Sequence, residues 1–211
     1  MILVGQYDSP YVRRVAVSLH VLGFAYTHDT RSVFGDFDAM RQVNPVGRIP
    51  ALVLPGGEVL IDSAAILDWL DHEVGPERAL VPRTQPARRL ALHRVALATG
   101  AIDKAGAAAY ERLLRPEAYR WPEWIARCRT QAQGAIAALA ALDWHGALDQ
   151  AQITTACMIR YVRMAEPGLL PAGRHPALDA LDALAARCEA LPAFAATYPA
   201  DYALPSGARD G

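Results

Sequence analysis

The sequence predicts two domains, an α/β domain followed by an all-helical domain. Up to Pro76, short apolar runs typical of strands alternate with helical periodicity and turn residues. From Pro86 onward the chain is rich in alanine and leucine, and strand-like runs are absent. We therefore predict a first domain at residues 1–76, a linker at 77–85 and a helical domain at 86–211.

The first domain begins with a predicted strand, helix and strand. Residues 2–4 are a short apolar run typical of a buried strand. Ser9-Pro10 predicts the start of a helix, because serine caps a helix and proline suits its first position. Gly23 is a suitable helix end. Residues 24–29 predict a second strand, which a right-handed crossover would place parallel to the first.

The remainder of the first domain predicts a short helix, a hairpin and a last helix. The short helix falls within residues 31–43. Residues 51–54 and 59–61 flank Pro-Gly-Gly, which predicts a β-hairpin. Asp62-Ser63 then starts a helix with an apolar face. The predicted order is β-α-β-α-β-β-α.

The second domain predicts about five helices. Their boundaries follow from proline and capping signals and from the spacing of apolar residues. Asp149 to Gln152 has the form of a capping box, with an acidic cap followed three residues later by glutamine. The predicted helices span residues 86–114, 122–142 and 150–164, a segment after His175-Pro176, and 192–197.

Composition and charge exclude several functional classes. The formal net charge is −1, without the basic surface that nucleic acids or anionic membranes attract. No uninterrupted apolar run is long enough to span a bilayer, and the N-terminal residues lack a signal peptide's basic segment. The three cysteines fit no metal-binding spacing and are expected to be reduced and buried. We expect a cytoplasmic protein with no metal, nucleic-acid or membrane partner.

Three motifs in the first domain carry a family resemblance. They are Ser9-Pro-Tyr-Val-Arg-Arg-Val15, Asn44-Pro-Val-Gly-Arg-Ile-Pro-Ala-Leu52 and Asp62-Ser-Ala-Ala-Ile-Leu67. In order and spacing they resemble the three glutathione-site segments of glutathione transferases, and most closely those of bacterial Ser-Pro-Phe members. The resemblance implies a thioredoxin-like first domain. It also implies a cytoplasmic homodimer that detoxifies hydrophobic electrophiles by transferring the sulfur of glutathione to them.

The resemblance implies a catalytic hydroxyl but leaves two candidates. Ser9 lies where a hydroxyl would donate to the glutathione sulfur and favour the thiolate, helped by the helix dipole. Ser9 is equally suited to be only a helix cap. Tyr7 is the alternative, because several transferase classes use a tyrosine near the end of the first strand. We favour Ser9, and the absence of cysteine from the first domain disfavours thiol-disulfide exchange.

The resemblance also implies how the tripeptide is held. Pro50 matches a cis-proline that turns the backbone of Ile49 toward the cysteinyl residue, and Arg48 reaches a glutathione carboxylate. Ser63 and its backbone N–H would hold the γ-glutamyl carboxylate. Asp62 would accept from the γ-glutamyl ammonium, and Asp103 would reach the glutathione of the partner subunit. Candidates for the electrophile pocket are the aromatic residues Tyr11, Tyr110, Trp121 and Trp124.

Other functions are compatible with the same motifs. The fold also serves as a non-catalytic ligand-binding or interaction module. Glutathione-dependent isomerisation or dehalogenation would use the same tripeptide site.

Overall fold

A mixed β-sheet forms the centre of the first domain. The structure is a computed structural model that describes residues 1–171 and 175–199. Within these residues one sheet has the strand order β2-β1-β3-β4. β1 is parallel to β2 and antiparallel to β3, and β3 pairs antiparallel with β4. The strands are β1 (Ile2–Val4), β2 (Thr27–Asp29), β3 (Ala51–Val53) and β4 (Val59–Ile61).

Three helices complete this domain: α1 (Pro10–Leu22), α2 (Phe37–Val43) and α3 (Ser63–Val74). The predicted order and the thioredoxin-like arrangement are confirmed. β2 starts later than predicted, because the chain is still leaving α1 at Phe24, whose N–H donates to the Leu19 carbonyl. Gly23 makes that exit possible with a left-handed backbone, φ 80°.

The second domain is helical, as predicted. The five predicted helices are present, and none in the described part of the chain is both long and apolar enough to cross a bilayer. α4 packs against α5 and α6, and α6 packs against α1 of the first domain. The three cysteines are free and buried. The helices are α4 (Ala87–Leu113), α5 (Pro122–Ala140), α6 (Gln150–Ala165), α7 (Asp179–Glu189) and α8 (Pro192–Ala196). The predicted domain end at 211 lies outside the described residues.

Asp71 fixes the segment that joins the two domains. Its buried carboxylate accepts from the backbone N–H groups of Leu80 and Val81, at 2.8 and 2.9 Å. The carbonyl of Leu80 accepts in turn from the N–H of Gln150 at the start of α6. The connecting segment is therefore bonded to both domains, which holds the cleft between them in a defined shape.

Arg13 of α1 binds the end of α7 and the segment that follows it. Its guanidinium is 1% exposed and donates to both carboxylate oxygens of Glu189, at 2.7 and 2.6 Å. It also donates to the carbonyls of Phe194 and Thr197. Burial alone would lower the pKa of Arg13, but the hydrogen bonds to Glu189 raise it. The charge of this arginine is thus compensated within the protein.

Asp149 caps α6, as predicted. Its Oδ1 accepts from the N–H of Gln152 at 2.8 Å. The reciprocal half of the capping box does not form, because the Gln152 amide donates to the Ala147 carbonyl. Burial raises the pKa of Asp149, against the lowering effect of the capping bond.

Replacing Asp149 by alanine is expected to lower the free energy of unfolding by about 1 kcal/mol, the usual contribution of an N-cap. In a protein of this size the melting temperature should fall by about 2–4 °C. Thermal unfolding monitored by circular dichroism measures the change. Asp149→Ser is the matched control, since a serine retains the capping oxygen. Equal melting temperatures for Asp149→Ala and the wild type would contradict the prediction.

Candidate active site

Two adjoining cavities lie between the domains in the described part of the chain. The smaller has a volume of about 580 Å³ and the larger of about 910 Å³. Tyr11, Arg48, Ile49 and Asp103 line both of them. The two cavities therefore adjoin at these residues, and a ligand longer than the smaller cavity reaches the larger one.

The three sequence motifs converge on the smaller cavity. Tyr11 and Arg14 of the first motif line it, together with residues 44, 46 and 48–50 of the second and 62–64 of the third. Ile49 and Ser63 thus face a common space, and the peptide bond between Ile49 and Pro50 is cis. The wall opposite these motifs is the first half of α4.

The start of α3 presents Asp62 and Ser63 to the smaller cavity. Asp62 has a positive φ of 69°, which is unusual for a residue other than glycine and marks local backbone strain. Its Oδ1 caps α3 by accepting from the N–H of Ala64 at 2.8 Å. Ser63 is only 4% exposed. The positive end of the α3 dipole therefore lies at the cavity wall.

Arg14 is a site residue that the motif comparison did not single out. It lines the smaller cavity and is only 3% exposed. Its Nε and one terminal nitrogen donate to the Ser63 hydroxyl, at 3.1 and 2.6 Å. No carboxylate among the described residues forms an ion pair with it, and burial lowers its pKa. A sequence signal exists, since Arg14 belongs to the first motif and stands in a helix whose residues are mostly apolar.

Buried cations in proteins are normally paired with an anion. Arg14 instead donates to a hydroxyl and lines the cavity, and its guanidinium lies 5.6 Å from the centre of the Tyr11 ring. Asp62 and Asp103 act on its charge only at longer range, without an ion pair. The smaller cavity is therefore suited to a ligand that brings its own carboxylate.

Asn44 shapes the loop that leads to Ile49. Its side-chain amide donates to the carbonyl of Arg48 at 2.6 Å and accepts from the N–H of Val46 at 3.0 Å. Gly47 has a φ of 66°, and a Cβ there would lie 2.6 Å from the Phe37 ring. The Arg48 side chain is exposed and lines both cavities.

Ser9 lines the larger cavity at the start of α1. Its hydroxyl accepts from the N–H of Val12 at 3.4 Å, which is long for a hydrogen bond. Its own N–H donates to Oδ1 of Asp8 at 2.8 Å. The capping bond is weak, and it uses the hydroxyl only as an acceptor. The Ser9 proton remains available for a second partner.

Tyr7, the alternative to Ser9, points elsewhere. Its hydroxyl shares a hydrogen bond of 2.7 Å with the hydroxyl of Tyr26. Its ring stacks on that of His28, with 3.8 Å between centroids. Tyr7 is not among the described residues that line either cavity. This placement favours Ser9 as the hydroxyl that meets the ligand.

Asp8 is a second residue that sequence comparison missed. Its carboxyl group is half-buried and lines the larger cavity beside Ser9. Burial raises the pKa of Asp8, although the hydrogen bond from Ser9 acts in the opposite direction. The sequence signal was its position next to Ser9, one residue before the first motif.

The larger cavity is mostly apolar, and two of the four predicted aromatic residues line it. These are Tyr11 and Tyr110. The Tyr11 hydroxyl donates to Asp103 at 2.5 Å and so joins α1 to α4; burial raises the pKa of this tyrosine. Trp121 and Trp124 do not line the cavity but stack on each other at the start of α5. The apolar lining consists mainly of Val33, Phe34, Ile102, Leu113 and Met164.

Comparisons with known proteins identify relatives of this chain. Residues 3–78 match the family model of the glutathione S-transferase N-terminal domain. The uncharacterized GST-like protein YibF of Escherichia coli is 30% identical over 177 residues, which cover 80% of this chain and 86% of that protein.

Solved structures resemble nearly the full length of the chain. A glutathione S-transferase of Methylobacterium radiotolerans, in complex with glutathione sulfonate, has a TM-score of 0.86 at 28% identity and covers 96% of both chains. A glutathione transferase family member of Pseudomonas fluorescens, with bound glutathione, has a TM-score of 0.79 at 34% identity. That similarity covers 94% of this chain and 98% of the other.

Proposed function

This chain belongs to the glutathione S-transferase family, and we propose that it binds reduced glutathione and transfers the tripeptide's sulfur to a hydrophobic electrophile. The observation that carries the proposal is the convergence of the three motifs on one cavity, where Arg14 has no carboxylate partner in the described chain. Bound glutathione supplies such a carboxylate.

In the proposed complex, the γ-glutamyl end of glutathione lies at the start of α3. Its carboxylate accepts from Arg14, from the Ser63 hydroxyl and from the N–H groups at the helix start. Its ammonium donates to Asp62, whose Oδ2 accepts no hydrogen bond from the described residues. The cysteinyl residue pairs with the backbone of Ile49, and Arg48 reaches the other carboxylate. The family resemblance suggests that Asp103 reaches the glutathione of a partner subunit.

The sulfur is proposed to lie where the two cavities meet, beside Ser9. There the Ser9 hydroxyl donates to the thiolate, and the positive end of the α1 dipole stabilises the same charge. The thiol proton leaves to solvent. The thiolate then forms a carbon–sulfur bond with the electrophile, and the leaving group departs with its electron pair.

Thiolate formation alone explains little of the expected acceleration. Lowering a thiol pKa by about two units raises the thiolate fraction at pH 7 about 25-fold. A thiolate of lower pKa is also less nucleophilic, with a Brønsted slope of about 0.4–0.5, so most of the expected gain in rate is lost. The larger cavity must therefore contribute by holding the electrophile against the sulfur.

Titration calorimetry with glutathione tests the binding step. We expect one glutathione to bind per chain, whereas cysteinylglycine, which lacks the γ-glutamyl residue, should bind far more weakly. Conjugation of 1-chloro-2,4-dinitrobenzene, followed by thioether absorbance, tests the transfer step. Absence of glutathione binding would overturn the proposal, while binding without conjugation of any member of a panel of neutral and charged electrophiles would leave a glutathione-binding protein that is not a transferase. The homodimer and its cytoplasmic location stay predictions.

A further inference from the structure

Arg160 is a cation that the proposed reaction does not yet use. It lies on α6 and lines the larger cavity. Its Nε is shut off from water and has no hydrogen-bond partner. No ion pair or hydrogen bond joins its guanidinium to the described residues, and the guanidinium lies 5.1 Å from the centre of the Tyr198 ring. Such a group calls for an explanation, because buried donors are normally satisfied.

The other charged groups around this cavity are engaged or outside its apolar part. Arg112 donates to Glu166 at 3.0 Å and to the carbonyl of Ala165. Asp103 accepts from the Tyr11 hydroxyl. Arg48 is exposed at the cavity mouth shared with the smaller cavity. Asp8 lies on the Ser9 side of the cavity, where its Oδ1 accepts from the N–H of Ser9.

We propose that the larger cavity selects electrophiles that carry a carboxylate, which Arg160 binds while the apolar walls hold the reacting carbon. This inference rests on the proposed function and names the substrate class of the same site. A carboxylate beside Arg160 would accept charge-assisted hydrogen bonds from its terminal nitrogens. It would also compensate the positive charge of Arg160, which the surrounding apolar residues leave uncompensated.

A matched pair of aryl chlorides separates the carboxylate from the reaction itself. The pair is 1-chloro-2,4-dinitrobenzene, which is neutral, and 4-chloro-3,5-dinitrobenzoate. In both, the thiolate attacks the carbon that bears chlorine, a carbon–sulfur bond forms and chloride leaves with the electron pair. The thiol proton goes to solvent, and the carboxylate takes no part in bond making or breaking. The two chlorides differ in intrinsic reactivity, because their nitro groups stand at different positions, but that difference is the same for every variant. The change in the ratio of the two kcat/KM values on substitution therefore reports recognition of the carboxylate.

Arg160→Met should lower kcat/KM for the benzoate by about 10- to 100-fold, the usual effect of losing hydrogen bonds to a charged group. Its kcat/KM for the neutral chloride should stay within about threefold of the wild type. Arg160→Lys should retain part of the preference. The matched control is Arg163→Met, which removes an arginine of the same helix that pairs with Asp182 and does not line the cavity. An unchanged ratio in Arg160→Met would overturn the inference.

Binding of the two S-aryl glutathione products tests the inference without turnover. By calorimetry, the carboxylated product should bind more tightly than the neutral one, and Arg160→Met should abolish the difference. If the wild type conjugates neither chloride but shows this Arg160-dependent preference, the transferase proposal fails and the carboxylate site stands. If the wild type conjugates both and shows no dependence on Arg160, the carboxylate site fails alone.

Discussion

Arg14→Met is expected to weaken glutathione binding by about 10- to 100-fold without lowering the stability of the free protein. The loss follows from the charge-assisted hydrogen bonds that Arg14 would make to the γ-glutamyl carboxylate. The retained stability follows from burial, since Arg14 is 3% exposed and its guanidinium donates only to Ser63 among the described residues. Burying an unpaired charge costs several kcal/mol of folding free energy, which exceeds what a hydrogen-bonded contact with one hydroxyl contributes.

Calorimetry with glutathione and thermal unfolding without it measure the two effects. The melting temperature of Arg14→Met should equal or exceed that of the wild type. Arg14→Lys, which keeps the charge but not the planar donor geometry, should bind with intermediate affinity. A lower melting temperature with unchanged glutathione affinity would show that Arg14 is structural.

Arg13 is the neighbouring control, and the opposite outcome is expected there. Its guanidinium satisfies Glu189 and two backbone carbonyls. Arg13→Met leaves these acceptors without a donor, so the protein should lose several kcal/mol of stability. The glutathione affinity of the folded protein should stay near that of the wild type, because Arg13 lines neither cavity among the described residues.

The contrast between these two arginines shows what the sequence could not predict. Periodicity and capping signals predicted α1 and its ends, because those signals are local. Successive residues of a helix point about 100° apart, so Arg13 meets Glu189 of α7 while Arg14 meets Ser63 of α3. Glu189 is 176 positions away in the chain. Only the tertiary arrangement decides which arginine is compensated and which is available to a ligand.

The same limit applies to the aromatic residues and to Arg160. The three motifs predicted that their residues would line one cavity, because those residues recur in a known order. No such pattern marks the larger cavity, whose walls come from separate loops and from α4 and α6. Trp121 and Trp124 had the spacing of a helix face, but they stack on each other instead of lining the cavity. Arg160 lies in a helix that was predicted correctly, but the sequence alone did not show which face of that helix lines the cavity.

Ser9→Ala is expected to raise the pKa of the bound glutathione thiol by about two units, from about 6.5 toward the ordinary value of about 8.5. The shift follows from loss of the hydroxyl that donates to the thiolate, since the helix cap itself is weak at 3.4 Å. The ultraviolet absorbance of the thiolate, followed against pH in the complex with glutathione, measures it. Tyr7→Phe is the control and should leave the pKa unchanged, because the Tyr7 hydroxyl bonds to Tyr26.

The pH dependence of conjugation distinguishes thiolate stabilisation from a purely structural role of Ser9. A thiol whose pKa the protein lowers is ionised at lower pH, so the wild type gains its advantage below the ordinary thiol pKa and loses it as the pH rises. At pH 7 the Ser9→Ala variant has about 25-fold less thiolate, but each thiolate is about eightfold more nucleophilic, which leaves a deficit of about threefold. With glutathione saturating, the two rate profiles should cross between about pH 7.5 and 8, and the variant should be faster above that point. A variant that is slower by a constant factor at every pH would show that the serine only caps α1.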